Sequence, residues 1–131
     1  MTKVPILSDE WNALWVAEAA TLQPGPGPSG SLEVSLRRDD DHVRTFTCYF
    51  VDGRMREVVS RPDDAADLKA EIPESVWQSI CEGHPEVLEK VMLNGQMRLT
   101  GDRARMMELV PAVWSDEAQA LRARVHEQTI Y

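Results

Sequence analysis

Between Leu32 and Ser60 the apolar residues recur at every second position, and an Asp52-Gly53 pair divides the run. Leu32, Val34 and Leu36 point to one side of an extended chain, and Glu33, Ser35 and Arg37 to the other. After a solvated turn from Arg38 to His42, rich in aspartate, the alternation resumes from Val43 to Val51. Phe46, Cys48 and Phe50 then oppose Thr45, Thr47 and Tyr49. Asp-Gly between Val51 and Arg54 is a two-residue hairpin signal, because both positions of the tight turn need positive φ. Met55 to Ser60 is the third strand. The segment therefore predicts an antiparallel meander with one apolar face, and an apolar face must be covered.

Helices are available on both sides of it. Asp9 to Leu22 reads as a helix with Ser8 as N-cap and two acidic residues in the first turn. Trp11, Leu14, Trp15 and Leu22 share one stripe, interrupted by Glu18. Two tryptophans on one stripe need a surface, either the chain's own core or a second copy in a homodimer. Gln23 to Ser31 (QPGPGPSGS) is a loop, since alternating proline and glycine support neither helix nor paired strand. After a break at Arg61 to Asp64, Ala66 to Ile72 is a fourth strand. Pro73 opens a helix carrying Val76, Trp77 and Ile80, which Gly83 caps. Pro85 starts a short helix with Val87, Leu88, Val91 and Met92, closing near Gly95. Gln96 to Thr100 is the fifth strand. Gly101 permits a sharp exit and Asp102 caps the helix from Arg103 to Trp114, which contains Pro111. Ser115 caps a last helix, Asp116 to Glu127, with a thin apolar face of Ala118, Leu121 and Val125. The sum is an α+β fold: a five-stranded mixed sheet, the meander plus two later strands, with helices on one face.

Composition narrows the function classes. A chain of 131 residues is one domain. A net charge of −8 argues against nucleic-acid binding, which needs clustered positive charge, and against tight docking on anionic membranes. No stretch approaches the roughly 18 apolar residues of a membrane span, so no integral membrane association is expected. The start, MTKVPILSDEW, carries no signal-peptide pattern, so the expected compartment is the reducing cytoplasm. Cys48 and Cys81 both lie in apolar runs and read as buried small hydrophobes.

No catalytic motif competes. His42, His84 and His126 are not at ligand spacing, and a solvated turn explains the DDDH run around His42 more simply than a metal does. There is no G-x-S-x-G, and the Pro/Gly segment lacks the ending of a phosphate loop. Carboxylate pairs are expected by chance in a chain with 22 acidic residues. No metal and no cofactor are expected.

The methionines are the sharper feature. Met92, Met97, Met106 and Met107 fall on three consecutive elements. Flexible, polarizable methionine suits a site that accepts varied apolar shapes, although on pattern alone an irregular filled core is the simpler account. The run ADLKAEI, PESVWQSICEG, HPEVLEKVMLNGQMRLTGD, RARMMELVPAVW, with Gly95 and Gly101 bracketing QMRLT, resembles the sterol carrier protein type-two family of small lipid-binding domains. The resemblance extends more loosely back to about Leu32. It implies lipid carriage and transport, with a fatty acyl chain, sterol or similar lipid held between sheet and helices, and it reverses the preference for a filled core. The positions facing that space would be Phe46 and Phe50, Trp77 and Ile80, Val91 and Met92, Met97 and Leu99, and Met106, Val110 and Trp114. Residues 1–30 would then be an N-terminal helix and loop, and 31–131 the sterol-carrier-like lipid-binding domain, within a single structural domain overall. The chain departs from the family in ending Gln-Thr-Ile-Tyr rather than Ser-Lys-Leu, and in being acidic rather than lysine-rich. The resemblance thus bears on fold more than on transfer between membranes.

Three readings follow. The first is non-covalent burial of an apolar ligand, its head near Arg103 or Arg105, with Arg122 a surface residue. The second is an accessory enzyme or chaperone of a biosynthetic pathway, needing an ionisable group inside the cavity from Glu57, Glu71, Tyr49 or His84. The third is a solid core and a purely structural role, with dimerisation through the Trp11/Trp15 helix.

Overall fold

The computed structural model describes residues 3–22, 27–84 and 86–131, apart from the side chains of Leu88, Glu89 and Met92. Its elements in chain order are β1 (Val4–Pro5), α1 (Asp9–Leu22), β2 (Gly30–Arg37), β3 (Val43–Val51), β4 (Arg54–Val59), β5 (Leu68–Pro73), α2 (Glu74–Cys81), α3 (Glu86–Leu93), β6 (Arg98–Gly101), α4 (Arg103–Val113), α5 (Asp116–Glu127) and β7 (Thr129–Ile130). Residues 23–26 of the Pro/Gly loop and the Pro85 helix start lie outside the described residues.

The meander forms as its alternation requires. β2 and β3 pair antiparallel with Val34 opposite Phe46, and β3 continues into β4 through a turn with φ 53° at Asp52 and 81° at Gly53. β5 then lies parallel to β2 and antiparallel to β6, giving the mixed order β4-β3-β2-β5-β6. The connection from β4 to β5 crosses the back of the sheet. There the Asp63 amide donates to Glu33 (2.9 Å), the Thr47 hydroxyl to the Arg61 carbonyl (2.8 Å), and the Tyr49 hydroxyl to Asp63 (2.5 Å). The polar half of the alternation is thus buried in part and still hydrogen-bonded, as buried polar groups must be.

Helices cover the other face. Trp11 and Trp15 are 1% and 3% exposed and meet Phe46 of β3, at ring-centroid distances of 5.0 and 6.4 Å. Trp77 of α2 joins them, 5.6 Å from Phe46 and 6.1 Å from Trp15. Such pairs add about 0.5–1.5 kcal/mol each beyond the area they bury. The tryptophan stripe therefore covers the chain's own core, and a pairing of copies through α1 would have to use its other sides. Ser8 accepts from the Trp11 amide (3.1 Å), Asp102 from Arg105 (3.1 Å), and Ser115 from Ala118 (3.2 Å), so the three caps stand where the residue pattern puts them.

Gly30 and Ser31, expected as part of the loop, instead begin β2 and pair with Phe50 and Tyr49. Other strand boundaries shift because a hydrogen-bonding group finds another partner. Ser60 leaves β4, its hydroxyl donating to the Leu7 carbonyl (2.6 Å). The fourth strand starts at Leu68 because the Ala66 amide closes a turn on Asp63 (3.0 Å) and the Asp67 amide donates to the Ser31 hydroxyl (2.9 Å). The fifth starts at Arg98 because the amides of Gln96 and Met97 both turn back to the Val91 carbonyl.

The two ends also pair, which the residue pattern does not signal. β1 and β7 form a two-stranded parallel sheet, through Val4 to the Gln128 carbonyl and Ile6 to the Ile130 carbonyl, both 2.8 Å. Thr129 links this tether to the core: its hydroxyl accepts from the Trp11 indole (3.0 Å) and donates to the Val125 carbonyl (2.6 Å). Thr129→Val keeps the shape but strands a buried indole N–H. It should destabilise the chain by about 1–3 kcal/mol in urea unfolding, and a loss under about 0.5 kcal/mol would contradict the tether.

Candidate functional site

The core is not solid. Between the apolar face of the sheet and the helices lies a cavity of about 550 Å³, lined by apolar side chains for the most part. That volume falls within the roughly 300–1,000 Å³ of small-molecule sites. The sheet supplies the floor, from Leu32 and Val34 on β2 across to Leu99 on β6. α1 and α2 contribute Trp15, Ala19, Trp77 and Ile80, so the aromatic cluster forms one wall. The C-terminal half of α4 and the buried side of α5 close it, from Val110 to Trp114 and then Ala118, Leu121 and Arg122. Gly27, Glu108, Pro111 and Glu117 are wall residues that also reach solvent.

Eight of the eleven positions named from sequence line this space. Phe46 and Phe50 lie on β3, Trp77 and Ile80 on α2, Met97 and Leu99 at β6, and Val110 and Trp114 at the end of α4. Val91 is buried in the adjoining core and Met106 is half-buried on the first turns of α4, both away from the wall. The Met92 side chain lies outside the described residues, and Met107 is 76% exposed. The methionine cluster thus contributes Met97 to the wall. Helix α4 turns its first half toward the sheet edge rather than over the cavity, and there Arg105 holds Asp67 at 3.3 Å and donates to the Ser29 carbonyl and to Glu108 (2.7 Å). Arg105 is fully engaged and holds the Asp67 carboxyl below the usual carboxylate range. Neither it nor exposed Arg103 touches the cavity.

The candidate ionisable groups are also elsewhere. Tyr49 points to the back of the sheet, Glu57 and His84 are exposed, and Glu71 sits 3.7 Å from Arg37.

Arg122 is the residue the sequence misplaces. It is 8% exposed and lines the cavity. Its Nη1 donates to the Val113 carbonyl at the end of α4 (2.7 Å) and its Nη2 to Gln119 Oε1 (3.0 Å), while Gln119 Nε2 donates to the Ile80 carbonyl (2.8 Å). The guanidinium lies 5.0 Å over the Trp114 ring. Burial pushes its pKa down, and no carboxylate stands within 4.0 Å of it among the described residues. A position after Leu121 on a thin apolar face reads as solvated, and only the neighbouring helix end turns it inward. The unpaired carbonyls at the C-terminal end of α4, before the helix break at Ser115, are the signal that was available.

No family model and no curated sequence matches the chain. Solved structures do. A crystal structure of sterol carrier protein 2 superposes with a TM-score of 0.65 at 20% identity, over 94% of this chain and 98% of that one. The solution structure of a conserved hypothetical protein from Thermus thermophilus gives 0.61 at 19%, over 95% and 94%. Sterol carrier protein-2 from Aedes aegypti, in complex with the C16 fatty acid palmitate, gives 0.54 at 17%, over 85% and 97%. The chain has the sterol carrier protein 2 fold, with helices over one face of a mixed sheet. No helix of the described residues is long and apolar enough to cross a membrane.

The cavity floor carries Cys48, and Cys81 is buried on α2; desolvation pushes both thiols up from an ordinary 9.0 to about 12. At about pH 8 this leaves roughly a thousandfold less thiolate than in the unfolded chain. Both thiols should therefore resist a disulfide reagent in the native protein and react at once in urea. The folded chain keeps these protons above the unfolded pKa, so their contribution to stability is complete below about pH 9 and is lost as pH rises toward 12. Rapid native labelling would contradict this burial.

Proposed function

We propose that this chain sequesters an apolar small molecule, a fatty acyl chain, sterol or similar lipid, by non-covalent burial in the cavity. The observation that carries the reading is the 550 Å³ apolar space itself, between the sheet and helices of a sterol-carrier fold. The palmitate complex of a structural neighbour supports it. Burial of about a dozen methylenes at roughly 0.8 kcal/mol each leaves several kcal/mol after the costs of association. The eight sequence-named wall residues are the contacts proposed. The proposed mechanism is burial alone; Tyr49, Glu57, Glu71 and His84, the groups named from sequence for acid-base chemistry, lie off the wall, while Glu108 and Glu117 are wall residues exposed to solvent.

Filling the space is the test. Val110→Trp places an indole where the ligand would lie, and should weaken fatty-acid binding at least about tenfold, the equivalent of two displaced methylenes. The exposed change Arg103→Ala should leave it within about twofold, and Met106→Trp, away from the wall, should have the smaller effect of the two tryptophan variants. Titration calorimetry reads all three. Equal affinities for the Val110→Trp and wild-type chains would overturn the assignment.

A further inference from the structure

The part of α4 that borders the cavity, residues 110–114, is held at its two ends and hardly at all between them. At the near end Leu109 is fully buried, and its Cδ1 stands 3.0 Å from where a Gly30 side chain would begin, so the helix rests on the backbone of β2 there. Arg105 reinforces the contact through Asp67 and the Ser29 carbonyl. Beyond Leu109 no residue of α4 is fully buried, and Pro111 brings no amide to the helix ladder. The floor shows the same looseness. Leu32, Ala70 and Leu99 are only half-buried, whereas Val34, Phe46 and Ile72 of the same floor are buried.

At the far end the hold comes from α5. Arg122 donates to the Val113 carbonyl and lies over the Trp114 ring, so one side chain ties down the last two residues of this stretch. It is an unfavourable place for a charge. The guanidinium is buried, its Nε meets no acceptor, and its partners are two neutral oxygens, of Val113 and Gln119. No carboxylate compensates it among the described residues. A cation so placed forgoes much of its hydration, and replacing it by an apolar group is the kind of change that stabilises a buried site. Lifting residues 110–114 off the floor exposes apolar wall, which opposes opening, and returns water to the guanidinium, which favours it.

We infer that residues 110–114 are the gate of the cavity: they swing on the contact of Leu109 with Gly30, Arg122 is the latch, and the uncompensated charge of that latch keeps opening easy. The inference rests on the cavity-binding reading above for what passes the gate, and adds to it the way in. It also fixes a sign. A neutral apolar side chain at position 122 closes the gate more firmly, whereas the loss of a merely structural hydrogen bond would loosen the end of α4.

Hydrogen exchange read by mass spectrometry on the full chain, without ligand, is the test. In the wild type, residues 110–115 should exchange at least about tenfold faster than residues 11–19 of α1, which Trp11, Trp15 and Ala19 anchor in the core. Arg122→Met should slow exchange at 110–115 by about tenfold, and Arg122→Lys, which keeps the charge without the planar fork, should speed it. Equal protection of the two segments in the wild type, a comparison that needs no variant, overturns the gate. So does exchange in Arg122→Met that is as fast as in the wild type or faster. Stopped-flow mixing with dodecanoate carrying a terminal fluorophore then follows passage. Association and release should both slow about tenfold in Arg122→Met, with Kd within about twofold. Unchanged rates overturn residues 110–114 as the way in. A wild-type chain that takes up no probe contradicts the cavity reading instead, and the exchange result decides the gate by itself.

Discussion

The contact of Trp11, Trp15, Phe46 and Trp77 is the interaction on which the rest of this structure depends. It joins α1, β3 and α2 at one place and fixes two helices against the sheet. Three of its four rings also face the cavity, so the solid part of the core and the hollow part share a wall. What lies beyond the rings is spanned by the end of α4 and by α5. α4 buries only Leu109 fully among its own residues and carries an exposed proline near its end. That half-committed helix is the natural boundary of a space that stays open.

The two faces of the sheet handle polarity in opposite ways. Behind it, Glu33, Thr47 and Tyr49 close hydrogen bonds with the crossing segment, and the cost of burying them is offset locally. In front, Trp15 Nε1 and Arg122 Nε are buried without acceptors. A structural core would be expected to satisfy or exclude such groups.

Much of the architecture is legible in the residues because it follows from local chemistry. The alternation from Leu32 to Ser60, the Asp52-Gly53 turn, and the caps at Ser8, Asp102 and Ser115 each rest on neighbours in the chain. The β1–β7 pairing is not legible, because two-residue strands carry no period and their partners are at opposite ends of the sequence. The cavity residues divide in the same way. Phe46, Phe50 and Leu99 follow from strand alternation once the covered face is known. Val91 and Met106 are apolar on short helices whose rotation only tertiary packing decides. Arg122 defeats pattern reading most completely, since an arginine beside Leu121 on a polar helix looks solvated until the α4 terminus is set over it.

The central claim is that the interior is a ligand site rather than a loosely packed core. Native mass spectrometry of the purified protein, followed by organic extraction, tests it most directly. A mass excess in the range of a lipid, lost on denaturation and recovered in the extract, is the result expected. A bare mass, with no uptake from a mixture of fatty acids and sterols, would contradict it.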